Sequence, residues 1–300
     1  MTEHATTTGS HTEDLRPRRS VLYMPAANAR ALEKARDIPA DAIIFDLEDA
    51  VAPDAKATAR DQAVAAVTSG SYGSRELTIR CNGLDTPWGA DDLAAAAAAA
   101  GPAAVVIPKV SGADALAEVV RHLEAANAPD HTRIWAMVET PLALFNVRQI
   151  AGFERVSLLV MGTNDLAKEL RAQLVAGRAP LLVHLAMALL AAREAGVAIL
   201  DGVYNDVRDA EGFEAEARQA FELGFDGKTL IHPSQVEPTN RLWAPSAEAV
   251  DYARRVIEAF EVALADGRGV ATVDGRMIEN LHVDNARRAL ATAAAIAALS

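Results

Sequence analysis

Ile134-Trp135-Ala136-Met137-Val138 runs straight into Glu139-Thr140-Pro141, and Val156-Ser157-Leu158-Leu159-Val160-Met161 runs straight into Gly162-Thr163-Asn164-Asp165. A run of five or six mostly apolar residues bounded by polar and turn-forming residues reads as a buried strand. Both strands therefore end on a carboxylate. A carboxylate at the carboxyl end of two successive buried strands is where a barrel enzyme places a divalent metal. Outward from this pair, strand-like segments recur at residues 20–24, 42–46, 76–81, 103–107, 197–200 and 227–231. Helical patterns fill the intervals at 27–36, 54–68, 89–100, 112–126, 142–151, 180–195 and 209–223.

A strand followed by a helix of about 10–15 residues signals a βαβ unit and a parallel sheet. Eight such repeats predict an α/β chain folded as a (β/α)8 barrel. A doubly wound open sheet is the alternative. No Gly-x-Gly-x-x-Gly follows any strand candidate, which removes the dinucleotide-binding version of it. Beyond the eighth strand, residues 246–267 form a long helix, then come a Gly-rich turn and a last helix near 283–299. A barrel needs only one helix there. We expect a disordered arm at 1–16, a barrel at 17–267 and a C-terminal helical extension at 268–300 that packs on a neighbouring subunit.

The chain has 300 residues, 51% hydrophobic and 23% charged, enough for a sizeable core. Its formal net charge of -12 argues against a nucleic-acid or anionic-membrane surface, which needs clustered Lys and Arg. One cysteine, Cys81, excludes an intrachain disulfide and cysteine-based zinc sites, and it fits a reducing cytoplasm. The polar stretch 1–16 has no apolar core of a signal peptide, and no run reaches the roughly 18 apolar residues of a membrane span. The alanine run at 93–100 reads as helix. The expectation is a soluble cytoplasmic protein.

In a barrel, residues just after each strand crowd one mouth, where active sites of this fold lie. In chain order these are Pro25; Asp46, Glu48 and Asp49; Arg80 and Asn82; Lys109; Glu139; Asn164 and Asp165; Asp201; and His232. Any single acid here could cap a helix, Asp165 above all, so their joint occurrence carries the weight. Glu139 and Asp165 sit on adjacent strands and suit a hard cation such as Mg2+, with water and substrate oxygens completing its shell. No paired His or Cys set competes for zinc. Arg80 emerges from a buried strand either to pair with Glu48 or Asp49 or to clamp a substrate carboxylate or oxyanion, and the second is favoured. Lys109 either holds a mouth acid or reaches solvent. His232 either lines the pocket or stabilises its turn.

Taken together these segments resemble the citrate lyase beta subunit-like proteins, carbon–carbon lyases of the HpcH/HpaI aldolase family with a phosphoenolpyruvate/pyruvate-binding barrel. The matching residues are Arg19-Ser20-Val21-Leu22-Tyr23-Met24-Pro25, Asp46-Leu47-Glu48-Asp49-Ala50-Val51, Arg80-Cys81-Asn82 and Pro108-Lys109-Val110, then Glu139-Thr140-Pro141, Gly162-Thr163-Asn164-Asp165-Leu166 and Ile231-His232-Pro233-Ser234-Gln235. The resemblance implies Mg2+ on Glu139 and Asp165, and substrate contact by Arg80. It also implies that Glu48 and Asp49 bond metal-bound water, with Glu139, Lys109 and Asn82 lining the substrate site. Homotrimers or homohexamers are implied too, with a C-terminal segment covering a neighbour's site. In several acyl-CoA lyases of the family that segment carries a catalytic aspartate; here Gly275-Arg276-Met277-Ile278-Glu279 places a glutamate, either as base or as helix cap. The implied reaction is reversible cleavage of a 3-hydroxy-3-carboxyacyl-CoA, such as malyl-CoA or citramalyl-CoA, into an acyl-CoA and a 2-oxo acid. Rivals are thioester hydrolysis of a malyl-CoA-type ester, a citryl lyase subunit of a citrate lyase complex, and a non-catalytic barrel.

Overall fold

The computed structural model describes residues 16–99 and 102–299. The expected arm therefore lies almost wholly outside the described residues, as does the end of the helix expected at 89–100. Eight parallel strands close into a barrel in chain order. They are β1 (Ser20–Pro25), β2 (Ala42–Asp46), β3 (Glu76–Arg80), β4 (Ala104–Ile107), β5 (Arg133–Val138), β6 (Val156–Met161), β7 (Ala198–Asp201) and β8 (Gly227–Leu230). Strand side chains alternate between two sides, and both sides are apolar here. Val21, Ile44, Val106, Trp135, Leu158 and Leu200 fill the barrel interior. Leu22, Ile43, Phe45, Ile79, Val105 and Leu159 pack outward against the helices. Double-sided burial explains why the strands read as continuous apolar runs rather than as alternating ones.

Each strand after the first is reached through a helical connection, and two helices escaped the sequence reading: Thr163–Leu170 after β6 and Val236–Trp243 after β8. Both are eight residues long, too short to show a clear period. The helix expected at 142–151 is broken into Pro141–Phe145 and Val147–Ala151. Asn146 interrupts it, and its Nδ2 donates to Ser111 O at 2.7 Å.

The chain divides into compact units between Trp243 and Ala244. The helix Ala247–Ala265 belongs with the C-terminal residues because Ala253, Val256 and Phe260 share a core with Val283 and Ala286 of the helix Asn280–Ala297. Between these helices, the expected Gly-rich turn is an antiparallel hairpin of β9 (Ala271–Val273) and β10 (Arg276–Ile278). Asp274 and Gly275 form its tip at positive φ, as a two-residue hairpin turn demands. Among the described residues no helix is long and apolar enough to cross a membrane.

Candidate active site

Alternation decides which strand-end side chains face the barrel axis. Phe45 and Ile79 pack outward, so Asp46 and Arg80 point inward, and the two are register partners across β2 and β3. Trp135 and Met137 line the interior of β5, and Glu139 follows them at the mouth.

Arg80 is 7% exposed and Asp46 1%. The guanidinium donates from Nε to Asp46 Oδ1 and from Nη2 to Asp46 Oδ2, both at 2.7 Å. Its Nη1 lies 2.9 Å from Glu48 Oε2 and 3.5 Å from Asp49 Oδ2. Asp46 is itself fixed by the backbone N–H groups of Glu48 at 2.9 Å and Ala50 at 3.1 Å. Burial works against the Arg80 charge, but Asp46 outweighs it and holds the guanidinium well above its usual range. The sequence offers Glu48 or Asp49 as partners of Arg80 beside the favoured substrate clamp; both pairs are present, and Asp46 joins them as the bidentate partner. The shared place of Asp46 and Arg80 at the ends of neighbouring strands was the signal available for that pairing.

Glu139 is buried, and its Oε1 accepts the backbone N–H of Lys109 at 2.6 Å. Lys109 adopts a left-handed φ of 49°, an uncommon conformation for a non-glycine residue. Its Nζ reaches Glu48 Oε1 at 3.4 Å, and the side chain is half exposed. Burial pushes the Glu139 carboxyl up to about 7, with the Glu48 and Asp165 charges adding to the shift against the Lys109 N–H and Arg80. Burial likewise raises Glu48. Gly162 presses on Glu139 so closely that a Cβ there would overlap its Oε2 and Cβ. Asp165 stands in the first turn of the helix Thr163–Leu170, partly exposed.

Three carboxylates, Glu48, Glu139 and Asp165, thus act on one another with Lys109 and Arg80 as the nearby cations. A buried carboxylate held at about pH 7 by burial and like charge is stabilised by any cation that joins it. Among the described residues no group of three or more His, Cys, Asp or Glu is placed to hold a metal. Two oxygen ligands with the rest of the shell left to water or substrate is the coordination Mg2+ prefers, so the residues present fit that ion.

Other mouth residues bond to neighbouring protein groups. Asn82 accepts Lys56 Nζ at 2.8 Å, and its Nδ2 donates to Leu47 O at 2.9 Å and to Asp92 Oδ2 at 2.6 Å. Its amide is engaged on both ends, tying together the loops after β2 and β3. Asn164 and Asn205 exchange amide hydrogen bonds of 3.0 and 2.8 Å across the loops after β6 and β7. Asp201, read as a mouth residue, instead faces away from the axis, as Leu200 beside it lines the interior. It pairs with Lys228 and Arg178, each at 2.7 Å, in a fully buried cluster. His232 caps the turn at Pro233–Gln235, with Nδ1 at 2.8 Å from Ser234 Oγ. In the C-terminal unit, Glu279 occupies the N-cap of the helix Asn280–Ala297, and its N–H donates to His282 Nδ1 at 3.1 Å.

Residues 19–233 of the chain match a known family model, described as HpcH/HpaI aldolase/citrate lyase. The chain belongs to this family. Two (3S)-malyl-CoA thioesterases of Cereibacter sphaeroides are 48% and 50% identical to it, each covering 94% of this chain and 96% of the relative. Citrate lyase subunit beta of Escherichia coli is 37% identical, over 93% of this chain and 94% of its own length. Among solved structures, protein CitE of Mycobacterium tuberculosis in complex with magnesium, acetoacetate and coenzyme A superposes with a TM-score of 0.75. It is 30% identical and covers 93% of this chain and 98% of its own. Membership of this family, with relatives named as thioesterases and lyases, supports an enzyme.

Proposed function

We propose that this enzyme hydrolyses the thioester of a 3-hydroxy-3-carboxyacyl-CoA such as (3S)-malyl-CoA, releasing the free acid and coenzyme A. The observation that carries this reading is the 48–50% identity, over nearly the whole chain, to enzymes named for that reaction. Sequence reading ranked carbon–carbon cleavage first; the lower identity to citrate lyase beta subunits, 37%, moves hydrolysis ahead. Glu139 and Asp165 would hold Mg2+. When bound, that ion supplies Lewis acidity and neutralises the substrate carboxylate.

The chain's own groups do the rest. Arg80, locked in plane by Asp46, presents its remaining Nη1 edge to the thioester oxygen. Glu48 and Asp49, 2.9 and 3.5 Å from Nη1, accept hydrogen bonds from water in the mouth. Lys109 offers a half-exposed ammonium to the substrate carboxylate, and Asn82 ties the loop after β2 to the loop that follows Arg80. A base must take a proton from the attacking water, and we assign it to Glu279 of an adjacent copy in a homotrimer or homohexamer. Exposed apolar side chains beside it, Met277 at 60% and Leu281 at 56%, support a covered position in such an assembly. Water oxygen bonds to the thioester carbon, the C–S bond breaks, and the coenzyme A sulfur leaves with a proton.

The test is incubation with Mg2+ and malyl-, citramalyl- or citryl-CoA, with products identified by mass spectrometry. Malate and free coenzyme A are expected from malyl-CoA. Acetyl-CoA and glyoxylate instead would establish the second reading, carbon–carbon cleavage, which the citrate lyase relatives favour. Mixing Glu139→Ala and Glu279→Ala chains should restore part of the activity if Glu279 acts across a subunit boundary. Absence of complementation would place the base elsewhere.

A further inference from the structure

The floor of the mouth holds a phenol that the reading above does not use. Tyr23 on β1 packs with the residues lining the barrel interior. The Arg80 guanidinium lies 4.9 Å above its ring. Register accounts for this closeness: Tyr23 pairs with Ile44, and Ile44 with Thr78, one inward position below Arg80 on β3. Strand tilt in a barrel then lifts Tyr23 to the level of Arg80. Met137 reaches the same level, its Sδ 4.0 Å from Arg80 Nη1.

Tyr23 is only partly buried, and its hydroxyl makes no hydrogen bond with another described residue. The hydroxyl is also absent from the sealed, unsatisfied groups, so it opens into the mouth. Buried Tyr72 behaves differently, donating to Leu32 O at 2.9 Å. Stacking beneath Arg80 needs only a ring, which phenylalanine would provide. A hydroxyl kept at that place without a protein partner is a donor with room for a ligand oxygen.

We propose that the Tyr23 hydroxyl donates a hydrogen bond to the thioester carbonyl oxygen of the substrate and forms, with Arg80, a two-donor site for the charge that develops there. This inference rests on the CoA-ester reading. Asp46, Glu48 and Glu139 surround the position with acceptors that repel an oxyanion, so a neutral donor and a cation are what an oxyanion needs. Lys109 N–H cannot serve, because Glu139 holds it. Burial, with help from Asp46, Glu139 and Glu48 against Arg80, keeps the phenol protonated beyond the usual tyrosine range, which makes it a donor and not a base.

During hydrolysis the water oxygen forms its bond to carbon while the carbonyl π pair moves onto oxygen, where Tyr23 and Arg80 meet it. Return of that pair expels the sulfur. In carbon–carbon cleavage the pair from the broken bond arrives at the same oxygen as an enolate, so the assignment holds for either outcome.

Tyr23→Phe keeps the ring and tests the hydroxyl alone. The expected result is a roughly hundredfold lower kcat with KM changed less than about threefold, the size of losing one oxyanion donor. Isothermal titration with acetyl-CoA and with S-ethyl-CoA, which lacks the carbonyl, gives a second measure. Wild type should favour acetyl-CoA, and Tyr23→Phe should lose part of that preference. A purely structural role for Tyr23 would change both affinities together. A wild type that turns over the ester beside a variant with kcat within about threefold of it overturns this inference alone. A wild type that neither binds nor turns over any CoA ester overturns the CoA-ester reading, and the inference with it.

Discussion

Replacing Asp46 by asparagine keeps the volume at the end of β2 and removes the charge that orders Arg80. Each Asp46 oxygen has two tasks: Oδ1 accepts Arg80 Nε and the Glu48 N–H, and Oδ2 accepts Arg80 Nη2 and the Ala50 N–H. Whichever way the amide turns, its NH2 faces one guanidinium N–H and one backbone N–H, so two hydrogen bonds become donor-to-donor contacts. Hydrogen bonds to charged groups contribute about 1.5–3 kcal/mol each, and breaking a buried ion pair costs about 3–5 kcal/mol. Glu48 remains to pair with Arg80, which holds the expected loss to about 3 kcal/mol. For a barrel of this size that is roughly 6–12 °C in Tm. Urea and thermal unfolding monitored by circular dichroism give both numbers. In the same variant, kcat should fall while Mg2+ affinity stays near wild type, because Glu139 and Asp165 are untouched. A variant within 1 kcal/mol of wild type by the same measure, with unchanged kcat, would refute the claim that Asp46 sets the position of Arg80.

The buried cluster of Asp201, Lys228 and Arg178 gives a prediction in acid. Burial opposes the Asp201 charge, but Lys228 and Arg178 outweigh it and hold the carboxyl below its usual range. Its stabilisation is therefore full above the unfolded value of about 3.9 and is lost as pH falls through the lower folded value. Lys228→Met should cost about 3 kcal/mol or more and move the acid-unfolding midpoint upward; an unchanged midpoint by circular dichroism would contradict this. At the mouth, protons and cation compete for Glu139, whose carboxyl sits at about 7 without a metal. Calorimetry should find Mg2+ bound about tenfold more tightly at pH 8 than at pH 6, and equal affinities would exclude Glu139 as a ligand. Gly162→Ala leaves every oxygen ligand in the sequence but drives a Cβ into Glu139, so Mg2+ affinity should drop roughly tenfold or more. Retained affinity would show that the loop after β6 yields.

All eight strands were legible because a closed parallel barrel buries both faces of each strand, leaving apolar runs with polar ends. Short helices were not legible: Thr163–Leu170 and Val236–Trp243 each span about two turns. The break at Asn146 depends on Ser111, far away in the chain, and no local pattern announces it. At the site, Glu139 and Arg80 were readable as polar residues ending apolar strands. Asp46 was seen in the ring but not as the clamp, because three acids lie within four residues and sequence does not say which faces Arg80. Asp201 followed the same strand-end rule yet faces the helices, since one residue along a strand reverses the side.

Sequence by itself determined the architecture and the stock of charged groups at one end of it. These follow from local burial and from residues adjacent in the chain. The tertiary structure decided how those groups are divided: Asp46 to hold Arg80, Glu139 to sit beneath Gly162 with its carboxyl raised, Asp201 to the helix layer, and Tyr23 to stack under Arg80. Each of these depends on register between strands, on barrel tilt and on the loss of water around a carboxylate. Such quantities exist only once residues distant in sequence share one enclosed space.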